Sequence, residues 1–564
     1  MKHQNQIKTS KNLTSVERES LVNNPSFKNG LYPKKWVRTL VLLCFFISTC
    51  NFIYGHGVVV NNVTINGQNT VQKFSLVNFD ITWNNSWRNT TTTNNWDACW
   101  VFVKYRKKAE LTWNHATLNY VDGTGSGDGH TAPTGSTINS TSDGKGIMIY
   151  SSSNIVPQTV NYNGAKLRWN YGTDGLTNLD SVEIRVFAIE MVYVPQGSFY
   201  VGDGTSTNIQ GHFRQQPTNT PFQITSEGSI TLGGTGAGSL NNNNASGMIY
   251  ADDFNNTTSQ TLPAAYPKGF DAFYCMKYEI TQMQYVAFLN TLTRAQQNAR
   301  TETSLASGVT SVTRRYVMYN QSTMYYRNGI RCDATIHTSD PITFYCDFNG
   351  NGTPNEVGDG QNIACNYLSW ADLAAYLDWA ALRPMTELEY EKAARGNQAA
   401  VANEYAWGST SLTQTTGISN SGANNETASN TGANAAYGSH ASVQGPLRVG
   451  NFGQGVNTRV GVGASYWGIM ELSGNLWERT VTIGNTTGRA FTGTHGNGAL
   501  NATGDADVSN WPATTSTGTG FRGGQWSLNA NLLRVSDRYY ANTGYNGRIY
   551  YYDSGRGIRV CPVP

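Results

Sequence analysis

Apolar and polar residues alternate at Val77, Phe79, Ile81 and Trp83 and again at Val182, Ile184 and Val186, with apolar-rich runs at 100–106 and 166–169 between them. A period of two marks strands that bury one face. Turn-rich tracts such as 122–128 separate these runs, so residues 57–189 predict a β-sandwich domain. Residues 186–194 run on into a second domain with almost no linker, which predicts two rigidly coupled domains. In the second, at 190–564, the period changes to that of helices. Thr281 precedes Gln284 by three residues and Thr386 precedes Glu389 likewise, each a capping box at a helix start. Val286, Leu289 and Leu292 continue the first helix, and Trp370, Leu373, Leu377 and Ala380 mark another that begins at Ser369. A Gly/Asn-rich stretch at 203–262 carries few large apolar residues and predicts an exposed insertion.

Composition narrows the class. Charged residues make up 14% of the 564 and aromatic residues 12%, with a net charge of +3. That balance fits an extracytoplasmic, loop-rich β protein, and without a basic cluster after residue 40 it gives no basis for nucleic-acid binding. Lys34, Lys35 and Arg38 precede a mostly apolar run at 39–55. Residues 1–55 therefore read as a secretory signal or, if uncleaved, as an anchor that would be the chain's membrane contact. The protein is expected in the periplasm, on the outer surface or secreted. Ile47-Ser48-Thr49-Cys50 only weakly matches a lipoprotein box, because Thr is a poor residue before the Cys.

Beyond the signal lie Cys99, Cys275, Cys332, Cys346, Cys365 and Cys561, an even number that predicts disulfides in an exported chain without setting their connectivity. None forms a C-x-x-C pair, which argues against zinc ribbons and thioredoxin chemistry. The eight histidines show no i, i+3 or i, i+4 pairing that would build a compact metal site. There is no G-x-S-x-G elbow, phosphate loop or dinucleotide fingerprint. Hard-oxygen ligands are better represented. Asp347, Asn349 and Asn351 alternate, with Gly352 in the sixth position, as a calcium loop requires. The twelfth position is Gly358 rather than Glu, so Glu356 or Asp359 would have to supply the missing carboxylate.

Residues 466–480 pack Trp467, Trp477, Gly468, Gly474 and Asn475 into a short span, and the Gly474-Asn475 turn tolerates positive φ. Two further dense islands lie downstream, Phe521-Arg522-Gly523-Gly524-Gln525-Trp526 and residues 554–560. Together with 191–199, 273–281, 370–396 and Tyr405-Ala406-Trp407-Gly408, these segments resemble, in order, the motifs of the formylglycine-generating enzyme or sulfatase-modifying-factor family, a variant of the C-type-lectin-like fold. The resemblance implies an α+β domain of short irregular sheets and a few helices behind the N-terminal β-sandwich.

Family members that oxidise a sulfatase cysteine carry two cysteines just after the Arg-Gly-Gly motif, where soft thiolates bind copper(I). Carried over from Arg522, those positions are Leu528 and Leu533, and Gln525 stands where the family has Ser. Copper is therefore not expected. The resemblance also implies a structural calcium at Asn475 and brings the segments of Cys275 and Cys561 into one sheet region. It is on that basis that the pairs Cys275–Cys561 and Cys332–Cys346 are expected. The reading is an exported, non-catalytic binding or structural protein of a bacterial surface assembly, with a protein or glycan partner. The alternative is a formylglycine-generating-type oxidoreductase acting on protein cysteine.

Overall fold

The computed structural model describes residues 52–54, 57–204, 208–242, 247–452, 458–548 and 552–561. The signal or anchor expected at 1–55 lies outside them apart from one short strand. No helix among the described residues is long and apolar enough to cross a membrane.

The N-terminal strands are β1 (Phe52–Tyr54), β2 (Val58–Asn69), β3 (Phe74–Asn89), β4 (Asn95–Lys107), β5 (Asn114–His115), β6 (Ser136–Ser140), β7 (Ile147–Ser151), β8 (Ile155–Trp169) and β9 (Val182–Val194). The alternation in β3 is visible as burial: Val77, Phe79, Ile81 and Trp83 face inward while their neighbours are half-buried. β4 is buried over most of its length, because other structure covers both of its faces. Short strands β10 (Phe199–Val201), β11 (Phe213–Gln215), β12 (Phe222–Ile224), β13 (Ile230–Gly233), β14 (Leu240–Asn242) and β15 (Ser259–Leu262) come next, then β16 (Phe273–Met276).

The remaining elements are helices α1 (Gln282–Leu289) and α2 (Arg294–Ala299), strands β17 (Ile330–Cys332) and β18 (Phe344–Cys346), α3 (Trp370–Trp379), β19 (Arg383–Pro384), α4 (Glu387–Arg395), β20 (Ile418–Ser419), β21 (Thr427–Ala428), α5 (Arg459–Val462), β22 (Trp477–Val481), α6 (Thr486–Arg489), β23 (Thr519–Arg522), β24 (Asp553–Ser554) and β25 (Gly557–Arg559). The result is a mostly-β protein with a large antiparallel N-terminal sheet, few helices and several short irregular sheets.

One sheet unites the two halves of the chain, in the order β1-β2-β3-β4-β9-β16-β25-β19. The boundary expected at 189/190 falls inside β9, which pairs with β4 on one side and with β16 on the other. Side chains reinforce this junction. Trp100 Nε1 donates to the Ala380 carbonyl (2.8 Å), Trp96 Nε1 to the Tyr274 hydroxyl (3.1 Å) and Asn95 Nδ2 to the Trp467 carbonyl (2.7 Å). Phe102, Phe187 and Phe288 pack edge-on against Trp379 at centroid distances of 5.1, 4.9 and 5.4 Å, so one aromatic core crosses the junction.

Both expected capping boxes form. Thr281 Oγ1 accepts the Gln284 amide while Gln284 Oε1 accepts that of Thr281, and Thr386 with Glu389 repeats the exchange. Thr293 and Gln296 make a third box at the start of α2, with the same Thr-x-x-Gln spacing. The 203–262 stretch differs from the expected exposed insertion. Phe213, Leu232, Leu240, Phe254 and Leu262 are buried, because β11, β14, β13 and β15 fold into a sheet of their own that packs on the core, while Phe222 and Ile230 are half-buried against it and Tyr250 is exposed.

Candidate functional site

The Gly474-Asn475 turn is held from three sides. Asn475 has φ +64°, its Oδ1 accepts the Leu447 amide (2.8 Å), its Nδ2 donates to Glu279 and its own N–H donates to the Ala436 carbonyl (3.0 Å). Glu279 also accepts the Leu476 amide (2.9 Å). A Cβ at Gly474 would stand 2.7 Å from the Ala436 carbonyl, which is why glycine precedes the asparagine. The turn delivers Trp477 into β22, where it packs against Phe521 (5.9 Å) and Tyr540 (5.3 Å), and Glu478, which pairs with buried Arg556.

Behind this turn lie two buried ionic groups. In the first, Glu279, Glu471 and Glu478 share Arg556. Burial, followed by the Glu478 charge, pushes the Glu279 carboxyl well above the ordinary range, and burial pushes Glu471 up to about 7. In the second, Glu387 at the start of α4 receives Arg522 Nη1 (3.1 Å), Arg538 Nε (2.8 Å), the Thr482 hydroxyl and the Ile483 amide (both 2.8 Å). Burial opposes its charge, but Arg538 and Arg522 outweigh burial and hold Glu387 below its usual value. Arg522 continues to Glu391 (2.7 Å) and Arg538 to Asp252 (2.7 Å). All of these side chains are fully enclosed, so they brace the loops and are out of reach of a ligand.

Leu528 and Leu533 sit in two different apolar clusters. Leu533 is fully buried with Tyr405, Trp407 and Ala435, whereas Leu528 lies half-buried beside Trp477, Phe521 and Leu532. Around Leu528 the fold gathers Tyr539, Tyr540, Tyr545 and Tyr552, all half-buried, and Tyr250, which is 49% exposed and stands edge-on to Tyr545 (6.2 Å). Sequence reasoning missed this aromatic surface. Its signal was the concentration of tyrosines between 539 and 552.

The other expected site residues are not drawn to this surface or to one another. Asp347 is buried and ion-paired to Arg331, with the Gly352 amide 3.2 Å from Oδ2. Asn349 Oδ1 accepts the Asn351 amide (2.9 Å), Asn351 Oδ1 accepts that of Thr353 (2.7 Å) and Asn351 Nδ2 donates to Glu356. These oxygens close turns within their own loop, and those of Asn475 and Glu279 are committed to amides. In both sets the side-chain oxygens are taken up by protein donors, and at Asp347 a guanidinium already occupies the place of a cation.

The expected disulfides also require correction. All six described cysteines are buried free thiols. In the β16–β25 ladder Cys275 lies opposite Ile558, three residues before Cys561, and in the β17–β18 hairpin Cys332 lies opposite Phe344 while Cys346 lies opposite Ile330. The register thus sets Cys275–Cys561 and Cys332–Cys346 out of line. Burial pushes the Cys275, Cys332 and Cys561 thiols up to about 12, which keeps them protonated and unreactive.

Short sheets braced on α4 by buried Glu–Arg groups, and joined to a large N-terminal sheet, define the class of fold. The chain belongs to the sulfatase-modifying-factor family: the model of the sulfatase-modifying factor enzyme 1-like domain matches residues 183–548, from the second residue of β9 onward. Among solved structures the chain is similar to Treponema denticola variable protein 1, at 12% identity over 66% of this chain and 95% of that one, with a TM-score of 0.27. No curated protein matches the chain.

Proposed function

We propose that the chain is an exported, non-catalytic binding or structural module, an N-terminal β-sandwich and a sulfatase-modifying-factor domain acting as one rigid part of a bacterial cell-surface assembly. The observation that carries this reading is that Leu528 and Leu533 stand where the family's oxidases have copper-binding thiolates, Leu533 enclosed in one apolar cluster and Leu528 half-buried against another. A thioether-free, imidazole-free leucine pair offers copper(I) no ligand.

What the same region presents instead is a half-exposed group of tyrosines around Leu528. Tyrosine gives a large, rigid contact area with one hydroxyl to orient it, at small conformational cost, which suits recognition of a protein or glycan. The test has two arms on the full exported chain. Copper(I) titration is expected to give no stoichiometric binding, and a sulfatase-type cysteine peptide is expected to remain unoxidised. Tyr545→Ser is expected to abolish retention of the partner recovered from the native envelope without shifting the melting temperature. Stoichiometric copper binding with aldehyde formation would overturn the reading in favour of an oxidoreductase.

A further inference from the structure

Lys277, one residue past β16, buries its ammonium between two carboxylates of the neighbouring strands. Its Nζ is 3.2 Å from Asp97 Oδ2 and 3.0 Å from Glu190 Oε2, and all three side chains are at most 4% exposed. The register explains the convergence. Lys277 N–H bonds the Glu190 carbonyl, Glu190 pairs with Cys99, and Asp97 lies two residues from Cys99 on the same face of β4. Aromatic rings close the site: Nζ lies 4.9 Å from the Trp87 ring centroid and 5.4 Å from that of Tyr278. The Asp97 carboxylate is also polarised unevenly. Oδ1 accepts the Ser86 hydroxyl (2.7 Å) and the Trp87 amide (3.1 Å), while Oδ2 accepts Trp83 Nε1 (3.1 Å) and faces the amine.

We propose that Lys277 and Asp97 condense into an intramolecular isopeptide bond, with Glu190 as the proton carrier. The amine lone pair attacks Asp97 Cγ, forming the Nζ–Cγ bond. The Cγ–Oδ2 bond breaks and Oδ2 leaves as water, taking the carboxyl proton and one proton from Nζ. No oxidant or reductant is consumed, and the product is a neutral amide in place of a buried ion pair. Oδ1, held by two donors, becomes the amide oxygen through an intermediate whose negative charge those donors stabilise. The step requires a neutral amine and a protonated Asp97, which one proton transfer from Nζ through Glu190 supplies without change in total charge.

The surroundings ease one half of that transfer and resist the other. Burial raises Asp97 above its ordinary value and pushes Glu190 up to about 7, so both acids accept a proton readily. Burial lowers Lys277, but the Glu190, Tyr278 and Asp97 charges outweigh it and keep the amine protonated at rest. Condensation is therefore expected to follow folding slowly, after the site has closed. Glu190 Oε2 accepts from Lys277 Nζ, and Glu190 Oε1 has no hydrogen-bond partner among the described residues, which leaves that oxygen open to hold a proton. The bond would tie β4 to the end of β16 across β9, closing the 97–277 stretch into a covalent loop at the junction of the N-terminal sheet with the family domain.

The test is peptide mapping of the denatured full chain. Digestion is expected to yield one branched peptide joining the Asp97 and Lys277 segments, lighter by one water than the two apart and resistant to trypsin at Lys277. Glu190→Gln keeps the size and hydrogen-bonding capacity of the side chain. It is expected to slow bond formation by about a hundredfold or more, so that freshly folded variant gives the two peptides separately. Asp97→Asn is expected to form the same bond with loss of ammonia. Separate, unmodified peptides from aged wild-type protein would overturn the proposal, and a Glu190→Gln chain that links as fast as wild type would overturn the role of Glu190.

Discussion

Arg538 and Glu387 are paired through Nε–Oε2 (2.8 Å) and Nη2–Oε1 (3.1 Å), with neither side chain exposed to solvent. Glu387 begins α4 and Arg538 lies on the loop after the Arg522-Gly523-Gly524 motif, so the pair ties a helix that the sequence makes plain to a loop that it does not. Arg538→Met removes the cation from both Glu387 and Asp252 and leaves two buried carboxylates with less compensation. Loss of one partner of a buried pair costs about 3–5 kcal/mol. Denaturant unfolding is expected to show a fall of that size, and a loss under about 1 kcal/mol would mean that the network contributes little to stability.

Glu471 makes the protein's stability depend on pH in a direction opposite to that of an ordinary salt-bridged acid. Its carboxyl is raised from 4.5 to about 7 by burial, so the native state holds its proton more tightly than the unfolded chain does. Its contribution is complete below about 4.5 and is lost as pH rises through about 7, worth at most on the order of 3 kcal/mol. Glu471→Gln abolishes this titration. Wild type is expected to lose more stability than the variant between about pH 5 and about pH 7.5. Parallel stability profiles would show that Glu471 titrates normally in the fold.

Leu533→Ala is expected to cost about 2–5 kcal/mol, because the side chain is fully enclosed by Tyr405, Trp407 and Ala435. Leu528→Ala, at a half-buried position, is expected to cost about 1 kcal/mol or less. Since the two leucines pack in separate clusters, the double variant should equal the sum of the singles to within about 0.5 kcal/mol. A larger coupling energy would mean that the two positions still act as a pair, as the thiolates do in the copper enzymes.

Asp347→Ala is expected to destabilise by about 1–3 kcal/mol, since it strands the Arg331 guanidinium and the Gly352 amide. The loop already supplies its own counter-ion, so excess chelator should leave the wild-type melting curve unchanged. A melting temperature that falls on chelation and recovers with calcium would make the 347–359 loop a cation site that rearranges to bind.

Several features were legible along the chain because they are short-range. The alternation at Val77–Phe79–Ile81–Trp83 reflects the two-residue repeat of a strand, and the Thr281 and Thr386 capping boxes are complete within four residues. The ordered Gly, Trp and Arg islands identified the family because each turn demands those residues locally, as Asn475 with positive φ illustrates. The leucines at 528 and 533 were equally plain, since residue identity alone says what cannot ligate a metal.

Tertiary structure decided what depends on register and on contacts between distant segments. Cys275 lies in β16, whereas Cys561 stands two residues past the end of β25, and the register sets Ile558 rather than Cys561 opposite Cys275. Asp347 has the spacing of a calcium ligand, but a guanidinium from the adjacent strand reaches it first. The tyrosine surface draws Tyr250 and Tyr545 from segments almost 300 residues apart. Lys277, Asp97 and Glu190 are each unremarkable charges in the sequence. Pairing of β4, β9 and β16 removes them together from water, and their reactivity comes from that shared enclosure. The chain alone determines local periodicity, caps and ligand chemistry, whereas the partner of a buried charge is set by strand pairing over long sequence separations.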